Sequence, residues 1–295
     1  MATTTAQPSI YETITNKVIE KLEQGVEGQW VMPWRTSGKG LPKNVATGNA
    51  YQGINITLLC IERMVKGYAS NIWGTYTQWQ DKGCQVRKGE KATTIVFYTP
   101  VEKTKTNEAG ETIEDKFFIL KSFSVFNAEQ VEGYVAEIEE GGEDFANDAI
   151  EAFIANTGAD VRYGNDRAYY SVSGDYVAMP NKGQFIDTAN ASNEAHFYSV
   201  LFHELTHWTG AEKRLNRALG KGKTTQDYAK EELVAELGSM FLSMEFGVND
   251  NVLRDDHVIY IKGWLEALRS DSKFIFKASS DAQKAVTLLK DGLTK

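Results

Sequence analysis

The sequence predicts an α+β chain of two domains: a mixed first domain over residues 1–130 and a mainly helical second domain with a small sheet over 145–295. Three observations carry this reading. Residues 92–99 and 116–126 follow a strand period on either side of a charged stretch, and they stand among segments of helical period. Residues 193–209 and 228–246 are long helical repeats without proline. Between the halves, residues 131–144 gather Glu132, Glu137, Glu139, Glu140, Glu143 and Asp144 around Gly141 and Gly142, the composition of a linker.

At 295 residues the chain is long enough for two domains, each with a core of its own. Apolar content of 42% and charged content of 24% are those of a soluble globular protein. No run of 18 apolar residues occurs, and the first residues lack a basic-then-apolar signal, so a cytoplasmic protein with no membrane partner is expected. Cys60 and Cys84 are too few for a disulfide framework or a cysteine zinc site. The net charge of −8 is uneven: residues 1–130 hold 15 basic against 13 acidic side chains, and residues 131–295 hold 17 against 27. The acidic total argues against nucleic acid as a partner, but residues 30–100 hold 9 basic to 3 acidic and reopen it locally.

In chain order, Ile10, Ile14, Val18, Ile19 and Leu22 predict a helix over 9–25, with Ser9 as N-cap and Glu12 completing a capping box. Residues 25–48 are turn-rich, a long loop. A second helix is predicted over 51–67 and a short one over 75–82, then the hairpin, whose charged tip spans 102–115. The second domain opens with a helix over 145–156 and short strands near 160–163, 168–172 and 176–178, the last read as an edge on which a peptide aligns. Two more helices, near 258–268 and 279–289, close the chain.

The chemistry centres on His203-Glu204-Leu205-Thr206-His207. Histidines four apart on a helix project from one face, about one turn and 6 Å from each other, so both imidazoles reach one ion. Glu204 points about 100° away, where it holds a water at the ion's open position rather than the ion itself. Ser192 or Asn193 can cap this helix, and Phe197, Leu201, Leu205 and Trp208 form its apolar stripe. On the second helix, Glu232 and Glu236 share a side with the small Ala235 and Ser239, which allows close approach to the histidines. Glu232 is therefore assigned as third ligand and Glu236 as acceptor for the far N–H of a ligand histidine, whereas Glu231 projects away from that direction. Two histidines, one carboxylate and an open position suit catalytic zinc, although the same ligands accept manganese or other divalent ions. His196 stands too far along the helix to share the ion, and His257 is left out.

In the first half, Trp34, Arg35, Lys39, Lys43, Tyr51, Trp73, Trp79, Arg87, Lys88 and Lys91 interleave aromatic and basic side chains, as do Trp30 and Tyr76. Such a set binds single-stranded DNA by stacking and phosphate contacts, unless its aromatics are spent on the core.

Several stretches are shared with a known family: Tyr51-Gln-Gly-Ile-Asn55, Trp73-Gly-Thr-Tyr76, Val86-Arg-Lys-Gly-Glu-Lys91, Leu201 through Gly210, and Tyr228 through Gly238. On these the chain resembles the ArdC-type antirestriction proteins of conjugative plasmids and the N-terminal part of TraC-type conjugative primases. The resemblance implies a single-stranded-DNA-binding domain, a zincin-like metallopeptidase domain, and protection of incoming plasmid DNA from host restriction. Ala211 departs from it, since histidine is expected there. Three functions follow: a DNA-binding protector, a peptidase cleaving a host restriction or regulatory protein, or a primase accessory. No polymerase-like acidic cluster supports the third.

Overall fold

The computed structural model describes residues 8–26, 40–106, 112–135, 147–188, 191–217, 219, 225–248 and 255–292. Helix α1 (Ile10–Val26) starts on the predicted capping box: the Ser9 N–H donates to Glu12 at 2.7 Å, and the Glu12 N–H donates to the Ser9 hydroxyl at 3.2 Å. Strand β1 (Lys43–Asn44) precedes α2 (Ile54–Lys66), which ends at Gly67 in the left-handed conformation. Strand β2 (Ile72–Gly74), helix α3 (Tyr76–Asp81) and strand β3 (Gln85–Val86) follow. The hairpin is longer than its alternation indicates: β4 (Thr93–Thr106) and β5 (Thr112–Asn127) pair from Thr93↔Val125 out to Thr106↔Thr112. Most of the stretch read as a charged tip is thus strand, because the backbone ladder pairs N–H and C=O groups whatever side chains they carry. The sheet order is β1-β2-β5-β4.

Strand β6 (Val131–Glu132) pairs antiparallel with β3, so the start of the acidic stretch belongs to the first half, and residues 136–146 lie outside the described residues. The second half runs α4 (Asn147–Thr157), β7 (Val161–Arg162), β8 (Tyr169–Ser171), β9 (Tyr176–Ala178), α5 (Asn193–Thr209), α6 (Thr225–Phe246), α7 (Asp255–Ser270) and α8 (Phe274–Asp291). The architecture is α+β in two domains, as predicted. The small sheet has the order β7-β9-β8, which places β9 in the middle and corrects its reading as an edge.

The halves share their main core rather than each having its own, and a smaller cluster of Trp79, Cys84, Val86, Ala128 and Val131 stands apart in the first half. One continuous cluster of buried apolar side chains runs from Ile14 and Leu59 through Leu201 and Leu237 to Ile275. Crossing it, the Thr15 hydroxyl donates to the Ser272 carbonyl at 2.7 Å, and Tyr11 meets Phe276 edge-on at 4.7 Å. Helices α7 and α8, last in the chain, therefore close the core of the first half as well as their own.

Candidate metal centre

Helices α5 and α6 pack side by side because their facing positions are small or polar. A Cβ at Gly238 of α6 would stand 2.5 Å from the Thr206 hydroxyl of α5, so only glycine allows this approach. From the next residue of α6, the Ser239 hydroxyl donates to the Ser199 carbonyl at 2.8 Å. Ser192 caps α5, its hydroxyl accepting from the Ala195 N–H at 3.2 Å.

This seam brings His203, His207 and Glu232 together. The two Nε2 atoms are 3.0 Å apart, His203 Nε2 lies 3.5 Å from one Glu232 oxygen, and His207 Nε2 lies 3.5 Å from the other. A tetrahedral ion with ligands at about 2.0–2.1 Å has ligand–ligand edges of about 3.3–3.4 Å, so the donor triangle fits one divalent ion. It is the one such cluster of three among the described residues.

Each histidine is held from behind by a carboxylate. His203 Nδ1 lies 3.2 Å from a Glu236 oxygen. His207 Nδ1 lies 3.1 Å from Glu231, which corrects the reading of Glu231 as projecting away. Arg217, from the segment after α5, grips Glu231 with two N–H donors at 2.9 Å each and donates to the Thr206 carbonyl at 2.6 Å. No pattern in the sequence points to Arg217, since no periodicity places an irregular segment. Burial acts to lower the His207 imidazole's pKa, but Glu231 and Glu232 outweigh it and push it up to about 10. Burial likewise opposes the Glu231 charge, yet His207 and Arg217 pull its carboxyl down to about 2. His203 is raised and Glu232 is held well below the usual carboxylate range by the same pairings acting against burial. The cluster therefore favours anionic carboxylates around shared protons, which a divalent cation can replace. Glu204, at 8% exposure, sits on α5 between the two histidines in sequence, near enough to add to the field that holds the His207 proton.

Around the seam, Arg214 pairs with Asp175 through both terminal nitrogens, and its guanidinium stacks over Trp208 at 3.8 Å. Lys213 Nζ also meets Asp175, at 2.7 Å. The described cations of the basic loop over 213–223 are thus paired within the protein; residues 218 and 220–224 lie outside the described residues. His196 reaches Thr188 at 3.1 Å rather than the cluster, and the His257 side chain is outside the described residues.

The expected DNA contacts are placed less favourably. Trp34, Arg35 and Lys39 lie outside the described residues. Trp73 and Trp79 have no exposed surface, and Tyr51 is buried, so none of the three presents an open ring face to a base; this corrects their reading as stacking residues. Trp79 donates its indole N–H to the Phe126 carbonyl at 3.1 Å and packs edge-on against Tyr134. Arg87 is exposed but donates to Glu90 at 2.9 Å and to the Glu129 carbonyl. Lys43 is half-buried, whereas Lys88 and Lys91 are exposed. Of the aromatics named from the sequence Tyr76 is open, at 43% exposed, and four rings not named there are open on the hairpin: Phe97, Tyr98, Phe118 and Phe123, with Phe118 68% exposed. An aromatic in an alternating strand looks like core until its partner face is known.

Comparison with known proteins agrees with this organisation. Residues 8–126 match the N-terminal domain of anti-restriction factor ArdC, and residues 148–281 match the zincin-like metallopeptidase family. A Sinorhizobium fredii protein described as uncharacterized protein y4eC is 38% identical over 283 residues, covering 93% of this chain and 89% of its own. The Escherichia coli DNA primase TraC is 36% identical over 296 residues, but the chain spans only 26% of that protein. The crystal structure of the antirestriction ArdC protein from plasmid R388, in its metal-free form, superposes with a TM-score of 0.79 at 36% identity, over 96% of this chain and 97% of that one. A Mn(II)-bound structure of the same protein gives 0.77 at 35% identity, over 98% and 100%. With both halves matched in order and nearly end to end, this chain belongs to the ArdC family of antirestriction proteins.

Proposed function

We propose that this protein shields incoming plasmid DNA from host restriction by binding it as a single strand, and that His203, His207 and Glu232 hold a divalent ion, zinc by preference. The observation that carries the metal reading is the donor triangle of 3.0–3.5 Å edges. The Mn(II)-bound R388 relative supports a divalent ion, and the donor chemistry favours zinc.

Such an ion supplies Lewis acidity to a water and to a peptide carbonyl. His203, His207 and Glu232 hold it on three sides, while Glu231 and Glu236 fix the two rings. Glu204 takes the water's proton and passes it to the leaving amine nitrogen. An extended peptide aligns on β8, an edge of the small sheet that lies against α5, rather than on the central β9.

Strand binding starts from residues 1–130, with Lys88 and Lys91 for phosphates and the open hairpin rings for bases. Stacking contributes roughly 1–3 kcal/mol per base without sequence preference, and phosphate contacts make binding salt-dependent.

Glu204→Gln tests how the two halves divide the work, with metal and strand affinities measured on the same variant. The expected result is protection of plasmid DNA at the wild-type level with both affinities unchanged, because occlusion needs no hydrolysis. Protection lost with both affinities intact would establish the second reading, cleavage of a host protein, which the buried Glu204 beside the donor triangle favours.

A further inference from the structure

At the junction of the two halves lies a groove of about 630 Å³, within the roughly 300–1,000 Å³ of ligand sites. One wall is the 44–55 segment with Gln78 and the start of the hairpin; the other is α8, through Phe276, Ser280, Gln283 and Lys284. Two properties set it apart. Among the described residues no carboxylate lines it, in a chain of 40 acidic residues. Carboxamides recur around it: Asn44, Asn49, Gln52, Asn55, Gln78 and Gln283.

Some of these groups are committed to the wall. Asn55 exchanges both hydrogen bonds with the Val96 backbone, at 2.8 and 2.9 Å. Asn44 donates to Tyr51 and Gln78 at 3.1 and 3.0 Å, which leaves the Tyr51 hydroxyl its own proton to donate. Gln283 accepts from the Gly53 N–H at 3.0 Å, which fixes its amide oxygen and keeps its NH2 as donor. Tyr98, 52% exposed, and Phe97, 47% exposed, stand at the rim. Lys284 pairs with Asp281 at 3.2 Å with its side chain 62% exposed.

We propose that this groove takes a nucleobase of the bound single strand, with the α8 residues Gln283 and Lys284 completing a site that the first half only begins. A base edge needs donors and acceptors side by side, which carboxamides and a tyrosine hydroxyl supply, and a ring to lie against, which Tyr98 supplies. A wall without carboxylates does not repel the phosphates on either side. The inference rests on the single-strand reading above. It adds that strand recognition spans both halves, so the first half alone is an incomplete site.

The test measures binding of the full chain to a fluorescein-labelled single strand of mixed sequence, and to the same backbone with abasic sites. Gln283→Ala removes the amide and Ser280→Trp fills the groove from an exposed helical position; metal affinity and Tm report on folding. Wild type is expected to prefer the ordinary strand by roughly tenfold or more, and both variants to lose the groove's share of that preference while keeping what the hairpin rings contribute. If wild type binds the ordinary strand while folded variants match it, the groove takes no base and the single-strand reading stands without it; if the abasic strand binds equally, the groove takes no base and strand binding rests on phosphate contacts alone. Should wild type bind neither strand at low salt, the single-strand reading fails and the groove falls with it.

Discussion

The α5–α6 seam and the β4–β5 hairpin are opposite solutions to carrying function on one core. At the seam, five ionisable side chains that water would normally solvate are buried, and the histidines meet carboxylates on both ring nitrogens. On the hairpin, rings that would normally be buried stand in solvent, including Phe118 and Tyr98. The seam has set its geometry before any ion arrives, since an unpartnered charge there would cost several kcal/mol. The hairpin leaves its apolar area open, to be covered by whatever binds. Rigidity belongs to the first region and adaptability to the second.

The largest expected effect separates rings that hold the fold from rings that are open. Trp79→Ala removes a fully buried indole and its hydrogen bond to Phe126, and should lower unfolding free energy by roughly 3–5 kcal/mol in a denaturant titration. Phe118→Ala should stay within about 0.5 kcal/mol, because its ring is mostly in water already. A Trp79→Ala protein of wild-type stability that no longer binds single strands would break the division, by showing that this ring serves a ligand rather than the core.

How much of this was legible in the sequence depends on whether a residue's neighbours are set by its own helix. Ser192 as cap, the stripe from Phe197 to Trp208 and the one-turn spacing of His203 and His207 all follow from the helical period. Glu232 and Glu236 follow too, given that α6 must present its small side. Glu231 was missed because the two histidines span a full turn of α5 and meet α6 across its width, so adjacent carboxylates both engage. Arg217, the central place of β9, and the shared core depend on paths between elements, which local pattern does not contain. Trp73 and Trp79 look the same in sequence whether buried or stacking, and only the packed sheet decides: Gly74 has no room for a Cβ, which would stand 2.5 Å from Val45 and 3.1 Å from the Trp79 ring.

A smaller change sharpens the account of the seam. Glu231→Gln keeps the shape and a hydrogen-bonding group but removes the charge behind His207 and the partner of Arg217. Losing such a supporting carboxylate weakens metal affinity by about 10–100-fold, which calorimetric titration with Zn2+ or Mn2+ resolves. Unchanged affinity would mean that Glu231 serves only to anchor the segment after α5, and the seam would be less committed than its geometry indicates.

The smallest effect is a slope, and it shows what the seam holds when no ion is bound. With His207 raised to about 10 from an unfolded value near 6.5, its pairing with Glu231 and Glu232 stabilises the metal-free protein fully below pH 6.5 and is lost as pH climbs through about 10. Metal binding runs the other way, since a ligand imidazole must be neutral. Between those limits each ion displaces at least the His207 proton, so affinity should rise about tenfold per pH unit, or about 1.4 kcal/mol. Titrations in buffers of different ionisation enthalpy count the protons released, and at least one is expected near pH 7. A release of none there would mean that His207 is already neutral and that its carboxylates orient the ring without holding a proton on it. In Glu231→Gln the release should shrink, because one of the two carboxylates that raise His207 is removed.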